Sequence, residues 1–101
     1  MSNIHQTAVI NKKAKLHESV IVGPYCVIGP EVSIDKDCIL KSHVVINGPT
    51  KIGPNNEFFS FSVIGEDTPD LKYQGEKTYL DIGNGNTFRE FCKVHRVLQL
   101  T

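Results

Sequence analysis

The chain lacks an excess of charge of either sign, and this absence narrows the classes of partner. Its 101 residues include 11 Lys or Arg and 11 Asp or Glu, which gives a net charge of zero at neutral pH. Surfaces that bind nucleic acid or anionic membranes carry an excess of positive charge, so neither partner is expected. A chain of this length is sufficient for one small domain, which we expect to span residues 1–101.

The chain also lacks a segment with the composition of a targeting or membrane-spanning sequence. The N-terminus, MSNIHQTAVI, has no charged region followed by an apolar run. No other stretch approaches the roughly 20 apolar residues of a transmembrane helix. We therefore expect a cytoplasmic, soluble protein without membrane insertion.

What the sequence does contain is a repeat of six residues. An aliphatic or Phe side chain returns at every sixth position eleven times without a miss, although only 40% of the residues are apolar. The positions are Ile4, Ile10, Leu16, Val22, Ile28, Ile34, Leu40, Ile46, Ile52, Phe58 and Ile64. Such a run is improbable by chance, so the repeat has to be part of any fold prediction.

A period of six fits three alternations of a β-strand and does not fit a helix. A short strand can keep one face inward if the chain turns a corner once in each repeat. We expect the corners directly after the apolar position, where Gly and Asn tolerate positive φ and Pro presets a bend. These corner residues are Gly23, Gly29, Gly53, Gly65, Gly83, Asn11, Asp35 and Asn47, followed in places by Pro24, Pro30 and Pro54.

Four residues after the large apolar position, the side chain is mostly small. The members of this set are Ala8, Ala14, Val20, Cys26, Val32, Cys38, Val44, Thr50, Ser62 and Cys92. Positions i and i+4 share strand parity, so these groups should also point inward, near a crowded corner. All three cysteines belong to the set and no CxxC motif is present. We interpret them as reduced, buried filling rather than as disulfides, metal ligands or nucleophiles.

The repeat breaks after Ile64. Residues 66–79, EDTPDLKYQGEKTY, are polar and put Asp70 and Glu76 where apolar residues would fall. We interpret this segment as a loop extruded from the regular scaffold, which is a common place for function, although a solvated insertion without a role is the alternative. The repeat then resumes at Ile82, Phe88, Val94 and Leu100.

The hexads resemble the hexapeptide motif of left-handed parallel β-helix proteins, which are mostly acyl- and acetyltransferases. Several segments are similar to the N-terminal part of the acyl-carrier-protein-dependent UDP-N-acetylglucosamine O-acyltransferases, the family that begins lipid A synthesis. These segments are LKSHVVING from Leu40, TKIGPNNEFFSFSVIGE from Thr50, DLKYQGE from Asp70 and IGNGNTFREFCKVHR from Ile82. The hexads specify only the superfamily, whereas DLKYQGE with its spacing to VHR is much more specific.

The resemblance implies an all-β fold, in which three hexads form one coil of a triangular prism and coils stack about 4.8 Å apart. The left hand comes from the family, because general preference would favour right-handed crossovers. The resemblance also implies a homotrimer, and that the family's later coils and C-terminal helical domain are absent from this chain. An uncovered coil end leaves unpaired backbone groups, which end-to-end association, swapping or trimerisation should cover.

The resemblance further implies three substrate-binding residues. The family's loop Asp and Lys match Asp70 and Lys72 and bind the substrate across a subunit boundary. Lys72 would suit phosphate groups of the nucleotide or of the pantetheine arm, and Asp70 could accept hydrogen bonds from sugar or amide donors. His95 matches a His that lines the active-site cleft, and Arg96 continues that motif. Without the resemblance, all of these would be interpreted as ordinary surface residues.

The sequence gives weaker evidence of a functional role for the other three histidines. His5 and His17 occupy the corner position of the hexad and are interpreted as surface turn residues. His43 lies in the family-like segment LKSHVV, but a structural or solvent-facing role is favoured.

The family reaction moves an acyl group from acyl carrier protein to the 3-hydroxyl of UDP-N-acetylglucosamine, without a metal or redox cofactor. It needs a general base for the hydroxyl proton and a donor that stabilises the oxyanion. The family base is a His on a later coil, so we expect no catalytic residue here and no activity of this chain alone. The last residues, VLQLT from Val97, also depart from the family pattern. A non-catalytic scaffold and an acyl-coenzyme-A-dependent hexapeptide transferase are the alternatives.

Overall fold

The structure, a computed structural model, describes residues 3–66, 78–95 and 97–98, and every regular element in these ranges is a β-strand. The strands are β1 Asn3–Ile4, β2 Val9–Ile10, β3 Lys15–Leu16, β4 Ile21–Val22, β5 Val27–Ile28, β6 Val32–Ile34, β7 Ile39–Leu40, β8 Val45–Ile46, β9 Thr50–Ile52, β10 Glu57–Phe58, β11 Val63–Glu66, β12 Thr78–Ile82, β13 Thr87–Phe88, β14 Lys93–His95 and β15 Val97–Leu98. Among the described residues there is no helix long and apolar enough to cross a membrane.

Each strand pairs with the strand three places further along the chain, and every pair except β12 with β15 is parallel, so the strands form three sheets. The first sheet contains β1, β4, β7, β10 and β13, the second β2, β5, β8, β11 and β14, and the third β3, β6, β9 and β12, with β15 at its edge. In the first sheet Ile4 is opposite Val22, and Val22 is opposite Leu40. The hydroxyls of Ser42 and Ser60, hydrogen-bonded between successive coils, belong to residues with a sequence separation of 18, which is three hexads. The fold is the expected left-handed parallel β-helix of three hexads per coil.

From Val22 to Ile64, the large apolar residue of each hexad is buried inside the prism, whereas Ile4 in the first coil is 38% exposed. Ile28, Ile34 and Ile46 are each at most 2% exposed, and Phe58 and Ile64 are fully buried. The interior is continuous through the central coils because successive residues of the same sheet stack in register. The six-residue pattern therefore identified the core correctly.

The small residues four positions later are also inside. Val20, Cys26, Cys38 and Val44 have no exposed surface, and Cys92 is half-buried. All three thiols are free, and the Cys26 thiol donates a hydrogen bond to the Lys41 carbonyl oxygen at 2.8 Å. The interpretation of Cys26 and Cys38 as buried filling is confirmed.

The corners differ from the sequence prediction in where the backbone takes positive φ. Apart from Gly65, the left-handed residues lie two positions after the expected corner position, and most are not Gly: Tyr25, Glu31, Asp37, His43, Asn55, Phe61 and Phe91, together with Gly85. Two of the corner glycines, Gly23 and Gly53, meet another requirement, which is close approach between coils. A Cβ atom at Gly23 would lie 2.9 Å from the backbone carbon and oxygen of Lys41 in the next coil.

The connection from β11 to β12, which we call the excursion, is longer than the other connections between sheets. Ile82 is opposite Ile52, and partners across this coil have a sequence separation of 30 instead of 18. The difference of 12 residues equals two hexads, so the large apolar residues after the excursion stay at multiples of six from those before it. An uninterrupted repeat would stack Ile82 on Ile64 in the second sheet, but Ile82 lies in the third sheet. The additional 12 residues support an extruded segment between β11 and β12. Its predicted bounds, 66–79, are too wide, because Glu66 belongs to β11 and 78–79 belong to β12.

The coil pattern ends after His95. β15 pairs antiparallel with the start of β12, with Val97 opposite Tyr79, whereas a continued coil would pair parallel. Val97 occupies the hexad position at which earlier coils adopt positive φ, and a β-branched residue strongly disfavours that conformation. Leu100, expected to continue the repeat, lies outside the described residues.

Candidate substrate-binding site

His95 is the one predicted site residue that lies within the described part of the chain. It ends β14, which pairs with β11 in the second sheet. Because Val94 packs against the core, strand alternation directs His95 to the outer face of that sheet, where it is half-buried. The imidazole is therefore accessible from outside the prism.

The other two predicted residues, Asp70 and Lys72, lie outside the described residues, as does Arg96 next to His95. The structure does establish where the excursion, which contains Asp70 and Lys72, leaves the coil. The last described residue before it is Glu66, and Glu66 is the register partner of His95. The departure point of the excursion and the predicted cleft histidine therefore lie side by side.

A β-bulge produces this pairing. Ile64 is opposite Val94, but the next residue of β14, His95, is opposite Glu66 rather than Gly65. Gly65 is the extra residue, at φ +86°, and a Cβ atom there would overlap the Asn47 carbonyl oxygen. Bulges of this kind bend a strand and redirect side chains, often next to functional sites. Sequence reasoning missed Glu66, although a Gly at the corner position followed by a carboxylate at the loop boundary was a usable signal.

The outer face of the second sheet is apolar over the coils that precede His95. Its outward residues, stacked in register from β2 to β11, are Val9, Val27, Val45 and Val63, and the column ends in Lys93. Val9 is 62% exposed and Val27 41% exposed. We call the four valines the valine column. A face of this composition is suited to contact with another protein surface.

An aromatic column runs along the corner between the first and second sheets. Its members stack on one another with ring centroids 5.0 to 5.6 Å apart, and all four have positive φ: Tyr25, His43, Phe61 and Phe91. All of them are exposed to solvent, Phe91 by 80%. His43 is thus solvent-facing, as expected, and it is also a structural member of this column.

Two cations flank Phe59 beside the aromatic column. The Arg89 guanidinium carbon lies 4.0 Å from the Phe59 ring centroid, and the Lys41 ammonium lies 5.1 Å from it. Lys41 also forms a salt bridge of 3.5 Å with Glu57. Aromatic and arginine side chains are enriched in protein interfaces, so this corner adds to the contact surface offered by the valine column.

Asn56 joins the coil that carries β10 to the coil that carries β13. Its side chain is 1% exposed, and its amide nitrogen donates to the Gly83 carbonyl oxygen at 2.7 Å and to the Gly53 carbonyl oxygen at 2.8 Å. Its amide oxygen accepts from the backbone nitrogen of Asn86 at 2.7 Å. Sequence reasoning overlooked Asn56, which occupies the hexad position that holds a small residue in most other hexads.

His5 and His17 each form hydrogen bonds with a residue two positions further along the chain. Nδ1 of His5 accepts a hydrogen bond from the backbone nitrogen of Thr7, and Nδ1 of His17 accepts one from that of Ser19. Both rings are exposed, which confirms them as surface turn residues.

The described part of the site lies on the outer face of the second sheet. Its described polar groups are an imidazole and a carboxylate, which can bind hydrogen-bonding groups of a ligand. A group of His, Cys, Asp and Glu that could hold a metal ion is not found among the described residues. An open concavity of about 380 Å³, lined by Lys15, Ser33 and Lys51 among others, lies on the third sheet and not beside His95.

Comparison with known proteins gives one consistent result. Residues 13–48 match the family model described as bacterial transferase hexapeptide (six repeats). The acyl-[acyl-carrier-protein]–UDP-N-acetylglucosamine O-acyltransferases of Psychrobacter sp. and Saccharophagus degradans are each 50% identical over 96 residues, which is 95% of this chain. The crystal structure of the UDP-N-acetylglucosamine O-acyltransferase of Moraxella catarrhalis superposes with a TM-score of 0.91 and 48% identity, covering 95% of this chain and 37% of that one.

The chain spans 37% of the length of these two curated relatives. The similarity extends on both sides of the excursion, because 95% of this chain is aligned. The chain therefore belongs to the acyl-[acyl-carrier-protein]–UDP-N-acetylglucosamine O-acyltransferase family, and its fold is that of the family's N-terminal β-helix.

Proposed function

We propose that this chain is the N-terminal β-helix part of an acyltransferase that moves an acyl chain from acyl carrier protein to the 3-hydroxyl of UDP-N-acetylglucosamine, the first step of lipid A biosynthesis in the cytoplasm. The observation that carries the proposal is the 50% identity over 95% of the chain to proteins named for this reaction. A TM-score of 0.91 to one of the solved structures supports it, because the shared residues occupy the same scaffold. A fold alone does not determine function, so the substrate-binding residues require a direct test.

In this proposal Asp70, Lys72 and His95 bind the substrate. Lys72 supplies a positive charge for phosphate groups, and Asp70 accepts hydrogen bonds from sugar or amide donors. The accessible His95 ring donates to or accepts from the same ligand. The support is that the excursion containing Asp70 and Lys72 leaves the coil next to His95, so residues distant in sequence belong to one region.

The site is completed by a neighbouring copy in a homotrimer. The support is the apolar character of the surface beside His95, which combines the valine column with the aromatic column. A large exposed patch of this kind typically marks a protein interface. Subunits packed along this surface would place His95 of one copy near the excursion of the next.

The proposal gives this chain substrate binding and not the chemical step. The sugar hydroxyl attacks the thioester carbon, its proton passes to a general base, and the carrier thiol leaves. The base is assigned to another part of the full-length protein. We accordingly expect this chain to bind UDP-N-acetylglucosamine and acyl carrier protein without transferring the acyl group.

Calorimetric titration of the chain with UDP-N-acetylglucosamine tests the binding role. Asp70→Ala, Lys72→Ala and His95→Ala should each weaken binding about tenfold or more. Lys51→Ala, a Lys on the outer face of the third sheet, is the matched control and should leave binding unchanged. Binding that survives all three site changes would refute the assignment, and acyl transfer by the chain alone would refute the absence of the base.

A second candidate is a non-catalytic scaffold derived from the same fold. The observation that favours it is the antiparallel pairing of β15 with β12, which departs from the coil pattern directly after His95. Failure to bind the nucleotide sugar, together with intact trimer formation, would favour this second candidate.

A further inference from the structure

The concavity on the third sheet has no role in the proposed function. It has a volume of about 380 Å³ and is open to solvent. Volumes of this size are within the range of small-molecule sites. The side chains that give it charge or a hydrogen-bonding group are those of Lys15, His17, Ser33, Asp35 and Lys51.

Lys15, Ser33 and Lys51 form a column across three coils, which we call the lysine–serine column. Lys15 is opposite Ser33, and Ser33 is opposite Lys51. All three side chains are exposed on the outer face of the sheet. Neighbouring strands lie about 4.8 Å apart, so the two lysine backbones are roughly 10 Å apart with the serine between them. The flexible four-carbon stems of both lysines can therefore reach one group that lies over Ser33.

The side chains of the lysine–serine column are available to a ligand. In the part of the chain that the structure describes, none of the three forms a hydrogen bond or a salt bridge. Asp81, the register partner of Lys51 in β12, is likewise in no salt bridge with it in these ranges. By contrast, Lys41 is bound by the Glu57 carboxylate at 3.5 Å. The column thus presents two unpaired ammonium groups and one hydroxyl to the same concavity.

His17 and Asp35 line the concavity beside the lysine–serine column. Nδ1 of His17 accepts a hydrogen bond from the Ser19 backbone nitrogen at 3.1 Å, so the neutral ring carries its proton on Nε2 and has a donor to offer. The Asp35 carboxylate opposes the binding of an anion. With two lysines against one carboxylate, the lining still favours a negatively charged ligand.

We propose that this concavity is a binding site for the terminal phosphate of a small organic molecule, with the phosphate over Ser33 and in contact with Lys15 and Lys51. A terminal phosphate carries a charge of about −1.5 to −2 at pH 7 and three acceptor oxygens, which matches two ammonium groups and a hydroxyl. The opening to solvent leaves room for the organic part. Each phosphate of a nucleotide sugar carries a single charge and is substituted on both sides, so its attraction to the two lysines is weaker.

Amide NMR spectra of the whole chain test the site during titration with inorganic phosphate and, separately, with glycerol 3-phosphate. The signals of Lys15, Ser33 and Lys51 should shift and saturate, with dissociation constants of millimolar order for an exposed site. The two constants should agree within about threefold, because both ligands present the same group to the same contacts. Sodium chloride at equal ionic strength is the reference for general screening.

Variants of exposed residues separate the site from general charge attraction. Lys15→Ala and Lys51→Ala should each weaken phosphate binding about two- to fivefold, the effect of one exposed charge pair. Asp35→Asn should strengthen binding by a similar factor, because it removes the opposing charge. Lys41→Ala makes the same change in net charge beside the aromatic column, so it is the matched control and should leave binding unchanged.

Shifts that do not saturate, or that sodium chloride reproduces, overturn the proposal. Equal weakening by Lys41→Ala overturns it as well, because net charge alone would then explain the attraction. Failure of glycerol 3-phosphate to bind excludes an organic phosphate, and displacement of phosphate by UDP-N-acetylglucosamine contradicts the preference for a terminal phosphate. The proposed function is tested at Asp70, Lys72 and His95, so either proposal can fail without the other.

Discussion

Phe58 and Phe88 stack inside the prism with ring centroids 4.8 Å apart and ring planes 5° from parallel, although the whole excursion lies between them in sequence. Phe58 is fully buried, and Phe88 is half-buried in the coil that follows the excursion. The contact joins the coils before and after this connection. It therefore links the coil that leads to His95 to the rest of the scaffold through the core.

Phe58→Ala should destabilise the chain by about 3–5 kcal/mol, because it removes a large buried ring and leaves a cavity. Phe91→Ala is the matched control. Its ring is 80% exposed, and its loss should cost less than about 1 kcal/mol. Urea unfolding followed by circular dichroism measures both. Equal losses in the two variants would contradict the stacking of Phe58 as a core contact.

Gly65→Ala should destabilise the chain more than Gly85→Ala. Both residues have positive φ, +86° and +75°, and this conformation costs an L-residue about 1–2 kcal/mol. Only Gly65 adds a steric overlap with the Asn47 carbonyl oxygen, whereas a Cβ at Gly85 meets nothing within 4 Å. Urea unfolding of the two variants measures the part of the destabilisation that comes from the steric overlap. Equal stabilities of the two variants would contradict the close contact between Gly65 and the Asn47 carbonyl oxygen.

The buried thiols should react slowly and make stability fall at high pH. Burial raises the pKa of the Cys26 and Cys38 thiols. A group with a raised pKa in the folded state keeps its stabilising contribution below the unfolded pKa, about 8.5, and loses it as pH rises further. The free energy of unfolding should therefore decrease above about pH 8.5.

A double variant separates this effect from other groups that titrate in the same range. Val occupies the equivalent hexad position at Val20 and Val44, so Cys26→Val with Cys38→Val should fold and show a shallower decrease. An identical pH slope in both chains would exclude the thiols as its cause. In the native chain a thiol reagent should modify half-buried Cys92 first.

The aromatic column should contribute to association of the proposed trimer. Phe61 is 52% exposed at the centre of the column, and Phe61→Ser should weaken association by about tenfold or more, as expected for an aromatic interface residue. Asn55→Ser, at a positive φ position on another corner, is the control and should have no effect. Sedimentation velocity at several concentrations measures this, and an unchanged trimer would place the interface elsewhere.

The periodic part of the fold was predictable from sequence because each hexad carries its own signal. Ile28, Ile34 and Ile46 are buried because each six-residue unit turns the same face inward. This pattern can be recognised within a single unit, without knowledge of distant residues. The position of the left-handed residues was not predictable in this way. Gly23 was expected to supply positive φ, but it is required for close contact between coils, and the left-handed residue is Tyr25.

The candidate site was only partly predictable, because its contacts depend on register. Phe91 joins the column of Phe61 only because β12 returns to the third sheet in register with β9, and Glu66 is opposite His95 only because Gly65 is bulged. Neither the register after the excursion nor the bulge follows from the six-residue pattern. Resemblance to the family singled out His95 as well as Asp70 and Lys72, and their roles in binding remain predictions.

The register across the excursion has one last consequence. β12 pairs with β9 in the third sheet, where an uninterrupted hexad would also lie. We therefore expect the prism to accept intervening segments of other lengths without repacking. The sequence of the segment between Glu66 and 78 could therefore change, and with it the ligand bound, while the β-helix stays the same. The same segment is suited to the insertion of foreign binding sequences.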